Sequence, residues 1–313
     1  MASPKSASSK TTAKSGRTGG SIIGLLRQTV SEWNEDQAPM LGAALSYYTV
    51  FSLAPLLIIV IACAGVFLGN EAVQGKVIEQ ISGLIGEQGA KAVSEMIESA
   101  YKSQDGLVAT IVGVIGLLFG ATGVMIQLQL ALDTVWDVRR VESEGVVGFF
   151  RNRWLSFTMI VGIGFLLLVS LFASAAISFF ARYSIAYLPF SAFLLQVVNV
   201  AASIALTTVL FAVMFRYLPN VRVHWSEVWM GALASAVLFT VGKQLIGLYL
   251  GRAAVTSSFG AAGSLAIILL WSYYSAQILL FGAEFTQVYA RSRNREPEPK
   301  PGFARLADSP SAD

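Results

Sequence analysis

Residues 41–68 read LGAALSYYTVFSLAPLLIIVIACAGVFL, twenty-eight consecutive positions without an Asp, Glu, Lys, Arg or His. A helix that crosses the ~30 Å hydrocarbon core of a bilayer needs about 20 mostly apolar residues, so this stretch is long enough by itself. Apolar and polar positions do not alternate, which argues against a barrel strand, and in lipid the backbone groups must be satisfied within one helix. Five further stretches of the same character follow at 107–135, 154–181, 190–217, 227–251 and 261–289. The expected fold class is an all-α integral membrane protein with six transmembrane helices. Residues 21–292 then form one membrane domain, between disordered cytoplasmic tails at 1–20 and 293–313.

The connection over 69–106 is polar but periodic. Val73, Val77, Ile81 and Leu84 recur at three- and four-residue spacing, and Val93, Met96, Ile97, Ala100 and Tyr101 repeat the pattern after Gly86 to Gly89. This spacing predicts an extracytoplasmic amphipathic helical hairpin broken at the glycines. Ahead of the first span, Ile22, Leu25, Leu26, Val30 and Trp33 form an apolar stripe opposite Arg27, Glu32 and Asp36, as expected of an interfacial helix.

Basic residues divide unevenly between the two sides. Arg139, Arg140, Arg151, Arg153, Arg216, Arg222, Arg291, Arg293 and Arg295 fall, with the N-terminal lysines and arginines, on one set of loops and tails. The alternate loops hold only Lys76, Lys91, Lys102, Arg182 and Arg252. The positive-inside bias therefore predicts a multi-pass protein of the bacterial inner membrane with both termini in the cytoplasm. A net charge of +3 placed beside membrane ends suits anionic headgroups. The expected partners are membrane lipids, with self-association into a homo-oligomer left open, and no nucleic acid.

Cys63 is the single cysteine and His224 the single histidine. No disulfide can form within the chain, and neither a Cys/His metal set nor a Cys–His nucleophilic pair can be assembled. No phosphate-binding loop or nucleophile elbow is present. The expectation is no catalytic residue, no metal and no cofactor.

Attention shifts to polar groups inside the spans, where an ionisable side chain is costly and marks function or structural pairing. Gln129 and Asp133 share a face of the second span with Asp137, and Tyr273, Gln277 and Glu284 share a face of the sixth. Lys243 lies toward the other end of the fifth, and Tyr47 polarises the first. The candidate polar pathway is Asp133, Gln129, Lys243, Gln277, Glu284 and Tyr47. Pairing of Asp133 or Glu284 with Arg151 or Arg153, and of Asp137 with Arg139 or Arg140, is the structural alternative. Small residues at four-residue spacing, among them Gly42 with Ser46 and Gly231 with Ser235, predict close helix contacts.

Three motifs carry a family resemblance: Ala43-Ala-Leu-Ser-Tyr-Tyr-Thr49 continuing to Pro55-Leu56, Ala131-Leu-Asp-Thr-Val-Trp136, and the run from Phe259 through Trp271-Ser-Tyr-Tyr-Ser-Ala-Gln277 to Glu284-Phe-Thr286. Over about residues 20–292 the chain resembles the YihY/BrkB family of bacterial inner-membrane proteins. The resemblance implies a six-helix inner-membrane protein. Members have carried the label ribonuclease BN and have been connected with serum resistance and envelope lipid handling. Metal-dependent phosphodiester cleavage needs clustered carboxylates or histidines in water, whereas the candidate carboxylates here are few and lie at or within the membrane. The expected activity is transport or flippase-like movement of a lipid, lipid-linked or small polar substrate. The alternative is a non-transporting scaffold for envelope biogenesis.

The topology is directly testable by cysteine labelling at Ser82, Ser143, Ser226 and Ser292. Only the first should react from the periplasm, and periplasmic labelling at Ser143 would overturn the assignment.

Overall fold

The computed structural model describes residues 21–102, 123–141, 191–252 and 261–306. The third predicted span, the outer part of the second, the Ser257–Phe259 turn, Arg151 and Arg153, and the N-terminal tail lie outside these residues. The elements in chain order are α1 (Ile22–Glu35), α2 (Ala38–Leu68), α3 (Asn70–Lys102), α4 (Gly123–Val135), β1 (Val138–Arg140) and α5 (Ser191–Tyr217). There follow β2 (Val221–Arg222), α6 (Trp225–Arg252), α7 (Ala261–Ser292), β3 (Glu298–Pro299) and β4 (Phe303–Arg305). Among the described residues, three stretches are long and apolar enough to cross a membrane: Val200–Tyr217, Trp225–Ile246 and Leu265–Ser292. They coincide with the fourth, fifth and sixth predicted spans. The first predicted span is α2, helical straight through Pro55.

Helix α7 is central, packing against α1, α2, α3 and α6, while α5 packs on α6. Backbones come close where small residues face large ones. A Cβ on Gly231 of α6 would overlap Thr286 Oγ1 and the Gly282 carbonyl, one on Gly282 would overlap Ser235 Oγ, and one on Gly242 would overlap the Tyr274 hydroxyl. Across from α2, Gly42 leaves room for the Gln277 side-chain amide. The small-residue spacing read in the sequence thus corresponds to real helix contacts. The largest apolar core joins α4, α5, α6 and α7 around Leu132, Val135, Phe215, Leu218, Val228, Ala232 and Leu280. Outward faces are also apolar: Val197, Val200, Trp229, Leu233, Val237, Val241 and Leu245 are exposed, as lipid-facing side chains must be.

Two expectations are corrected. The 69–106 connection is not a hairpin broken at Gly86–Gly89: α3 is helical without interruption from Asn70 to Lys102. A glycine costs a helix only ~1 kcal/mol, and burial of Val73, Val93 and Ile97 with Ile61 and Ile268 outweighs it. The reversal occurs earlier, at Gly69, whose φ of 85° lets the chain leave α2 and enter α3.

The second correction concerns the C-terminal segment. Residues 293–306 are not a free tail, because β3 pairs antiparallel with β2 and β4 pairs antiparallel with β1. Between them Lys300-Pro301-Gly302-Phe303 forms a turn closed by Phe303 N–H to Lys300 C=O at 3.0 Å, with Gly302 at φ 86°. Proline then glycine at the two central positions is the type II pattern. Leu306 N–H also bonds the Asp137 carbonyl at 2.9 Å. The segment straps the ends of α4, α5 and α7 together.

The α6–α7 contact gives a stability prediction. Gly231→Val should lower the stability of the purified protein by roughly 1–3 kcal/mol through overpacking, whereas Leu233→Val on the exposed face should change little. Equal melting temperatures for the two variants would contradict the packing described.

Candidate functional site

Helix α7 carries Gln277, Glu284 and Arg291 at seven-residue steps, with Gln287 between the last two, so all four lie along one side of the helix. The described structure turns that side toward α1 and the end of α4. Arg291 Nη2 meets Asp137 Oδ2 at 2.6 Å, and its Nη1 lies 3.6 Å from Glu32 Oε1. Gln287 Nε2 donates weakly to Asp137 Oδ2 at 3.4 Å, and Gln277 Nε2 donates to the Ala38 carbonyl at 3.2 Å. Glu284 is fully buried and faces Asp36 and Glu32. These contacts form a polar seam between α1, α4 and α7.

The local chain explains how each group arrives there. Helix α1 buries Thr29 and Glu32 and exposes Ile22, Ile23, Leu26 and Val30, so its apolar stripe points away from the bundle and its polar side packs inward. That orientation is the one an interfacial helix adopts. Gln37 and Asp137, at φ 54° and 52°, turn the backbone at the ends of α1 and α4, and Asn294 at 55° does so after α7. The left-handed region costs a non-glycine residue roughly 1–2 kcal/mol, and at Asp137 the ion pair with Arg291 accompanies it.

Two further polar nodes tie the strap to this end of the bundle. Asp133 accepts from Asn220 N–H at 2.9 Å and from Asn220 Nδ2 at 2.7 Å. Lys300 Nζ donates to the Pro219 carbonyl at 2.7 Å and the Tyr217 carbonyl at 3.2 Å, capping α5. Nearby, the buried carboxylate of Glu227 pairs with Arg295 at 3.2 Å and accepts from Ser226 Oγ at 2.8 Å. Tyr217, Trp225 and Trp229 are exposed at the same end, with the Arg216 guanidinium 5.9 Å from the Trp225 ring, the pattern of an aromatic interface belt.

Away from the seam lies a cavity of about 410 Å³ between α2, α3, α4, α5 and α7. Leu53, Val93, Leu128, Phe211, Ile268 and Trp271 make its walls apolar, and Thr49, Ser272 and Ser275 add hydroxyls. Thr49 Oγ1 is spent on the Leu45 carbonyl, while Ser275 Oγ is buried without a partner.

The six candidate pathway residues do not meet in this cavity. Asp133 is clamped to Asn220; Gln277 and Glu284 belong to the seam; Lys243 is half-buried on α6. Gln129 is half-buried on α4, and Tyr47 is exposed, edge-on to Tyr48 at 5.6 Å. Asp137, at a backbone φ of 52°, pairs with Arg291 rather than with Arg139 or Arg140. Sequence reasoning missed Arg291, Glu32, Asp36, Asn220 and Lys300 as partners. One signal was available: Arg291 continues the seven-residue repeat of Gln277 and Glu284.

The apolar outer faces, the buried polar seam and the spanning-length helices define a helical integral membrane protein. The sequence model of the family described as Virulence factor BrkB matches residues 29–307, and the chain belongs to that family. It is 27% identical over 262 residues to a UPF0761 membrane protein of Ralstonia nicotianae, covering 83% of this chain and 57% of that protein. To a UPF0761 membrane protein of Pseudomonas paraeruginosa it is 30% identical over 275 residues, covering 85% and 63%. The chain therefore spans somewhat under two thirds of the length of these relatives. No solved structure matches.

The strap yields a pH prediction. Burial holds the Lys300 ammonium below the ordinary lysine value of 10.5, with Asp133 opposing that effect and Arg216 and Arg222 adding to it. The folded chain thus gives up this proton before the unfolded chain does. The stability contributed at this node rises as pH climbs from the depressed value to 10.5. Melting of wild type should gain relative to Lys300→Met across that alkaline window, and parallel pH profiles would refute the assignment.

Proposed function

We propose that this protein is a lipid-handling membrane transporter, flippase-like in mode, that receives an apolar chain of its substrate in the cavity beside Ser275. The observation that carries this reading is the cavity itself: about 410 Å³, walled by Leu, Ile, Val, Phe, Met and Trp side chains, with the Ser275 hydroxyl buried and unpartnered. Ligand sites of this size are usually apolar with a few polar groups that fix orientation. A small polar solute would lose its hydration there without replacement hydrogen bonds, which costs several kcal/mol, so a lipid chain suits the walls better. Ser272 and Ser275 supply the polar points at which an ester or hydroxyl could be held.

The six-span topology, the inner-membrane location and the cytoplasmic placement of the strapped end belong to the same proposal. They draw support from the concentration of Arg139, Arg140, Arg216, Arg222, Arg291 and Arg293 at the end where Tyr217, Trp225 and Trp229 form their belt. The protein acts in this reading as a carrier and not as an enzyme. A second reading, a scaffold that organises envelope proteins, is favoured by one feature: the C-terminal strap presents an ordered surface at the basic end.

Reconstitution into liposomes with headgroup-labelled lipids separates the two. Wild type should scramble lipid, and Ser275→Leu, which fills the cavity, should slow scrambling about tenfold if ~1.4 kcal/mol of chain binding is lost. Retained melting behaviour would show that Ser275→Leu remains folded. Absence of scrambling by wild type, or an unaffected Ser275→Leu rate, would remove the transport reading.

A further inference from the structure

One contact in the polar seam is not accounted for by ion pairing. Glu284 is 0% exposed, and neither of its carboxyl oxygens meets a donor among the described residues. What lies beside it is a second carboxyl, that of Asp36, with the 3%-exposed Glu32 close by. Two ionised carboxylates are acceptors only. They bond to each other only when one of them carries a proton.

Among the described residues, the charged groups beside Glu284 are Asp36 and Glu32 from α1 and Arg291 from α7, and Arg291 also holds Asp137. Helix α2 has no charged side chain, and the α6 carboxylate at the same level, Glu227, is taken by Arg295. Arg291 is committed to Asp137 at 2.6 Å and to Glu32 at 3.6 Å, which leaves the guanidinium turned toward those two carboxylates. A buried carboxylate without a donor is disfavoured by several kcal/mol, and one proton removes that cost. A metal ion is a poorer occupant, since no group of three His, Cys, Asp or Glu side chains with metal-holding geometry exists among the described residues.

We infer that Asp36 and Glu284 form a proton-binding site, in which one proton taken from water is shared between the two carboxyls and bridges α1 to α7. Only an O–H bond is made or broken, and no electron moves. Gln37, at φ 54°, is the turn between α1 and α2 and stands next to Asp36. Proton loss would set Asp36 and Glu284 against each other and loosen α1 from α7 about that turn. Because α1 exposes Ile22, Leu26 and Val30, it has a bilayer surface to rest on when released. The site stands whether or not the lipid-handling reading holds.

Infrared spectroscopy of the purified full chain, with melting measured in parallel, tests this. At neutral pH wild type should show the C=O stretch of a protonated carboxyl that shifts in D2O, and Glu284→Gln should lose it. Raising the pH should remove the band and lower wild-type stability, because the folded state holds a proton that the unfolded chain has already released. In Glu284→Gln, whose amide supplies the missing donor permanently, that alkaline loss should be absent. If Glu284→Gln fails to fold, Asp36→Asn should give the same two readings. A wild-type spectrum without the band overturns the inference, as does a band unchanged in both variants. Stabilisation by sodium over potassium at fixed pH with no such band would assign the pair to an alkali cation instead, and would equally overturn it.

Discussion

Helix α7 can touch α1, α2, α3 and α6 only because small residues clear a path for it. Inside a bilayer no hydrophobic effect drives helices together, so close backbone approach and the dispersion contacts it permits must do so. Gly231, Gly242 and Ser235 on α6, Gly42 on α2, and Gly282 on α7 itself provide that approach. The interlocking of Thr286 against Gly231 and of Tyr274 against Gly242 fixes both the rotation and the axial position of α7. Once these are fixed, the side of the helix bearing Gln277, Glu284, Gln287 and Arg291 has no choice but to face α1 and α4.

That arrangement separates two environments along one helix. Ser275 and Glu284 are nine residues apart, ~14 Å of helical rise. The first lines an apolar cavity, and the second sits in a seam rich in carboxyls. Leu128, Phe211 and Ile268 give the cavity apolar walls, whereas the seam sets Arg291 against Glu32 and Asp137.

The strap adds a second level of constraint. Lys300 caps α5 and approaches Asp133, Arg295 reaches Glu227, and β4 pairs beside Asp137, so the C-terminal segment touches the loops that follow α4 and α5 and the start of α6. Ion pairs at a protein surface contribute little individually. Here each is joined to a backbone strand pair or a helix cap, which gives the charged contacts a fixed geometry.

The helical membrane character, the apolar fourth, fifth and sixth stretches, the amphipathic helix α1 and the small-residue contacts were all legible in the sequence, because each depends on local composition or on a three- to four-residue period. The C-terminal strap was not legible, because a Pro- and Glu-rich composition reads as disorder unless the strands waiting at 138–140 and 221–222 are known. The partners of the charged residues could not be read at all. Asp133 and Asn220 are 87 positions apart, and Asp137 and Arg291 are 154 apart. Periodicity says which side of a helix a residue occupies and is silent on what another helix sets against it. Whether Glu284 meets an arginine, an amide or a second carboxyl depends on the axial position of α7, and interhelical packing alone determines that position.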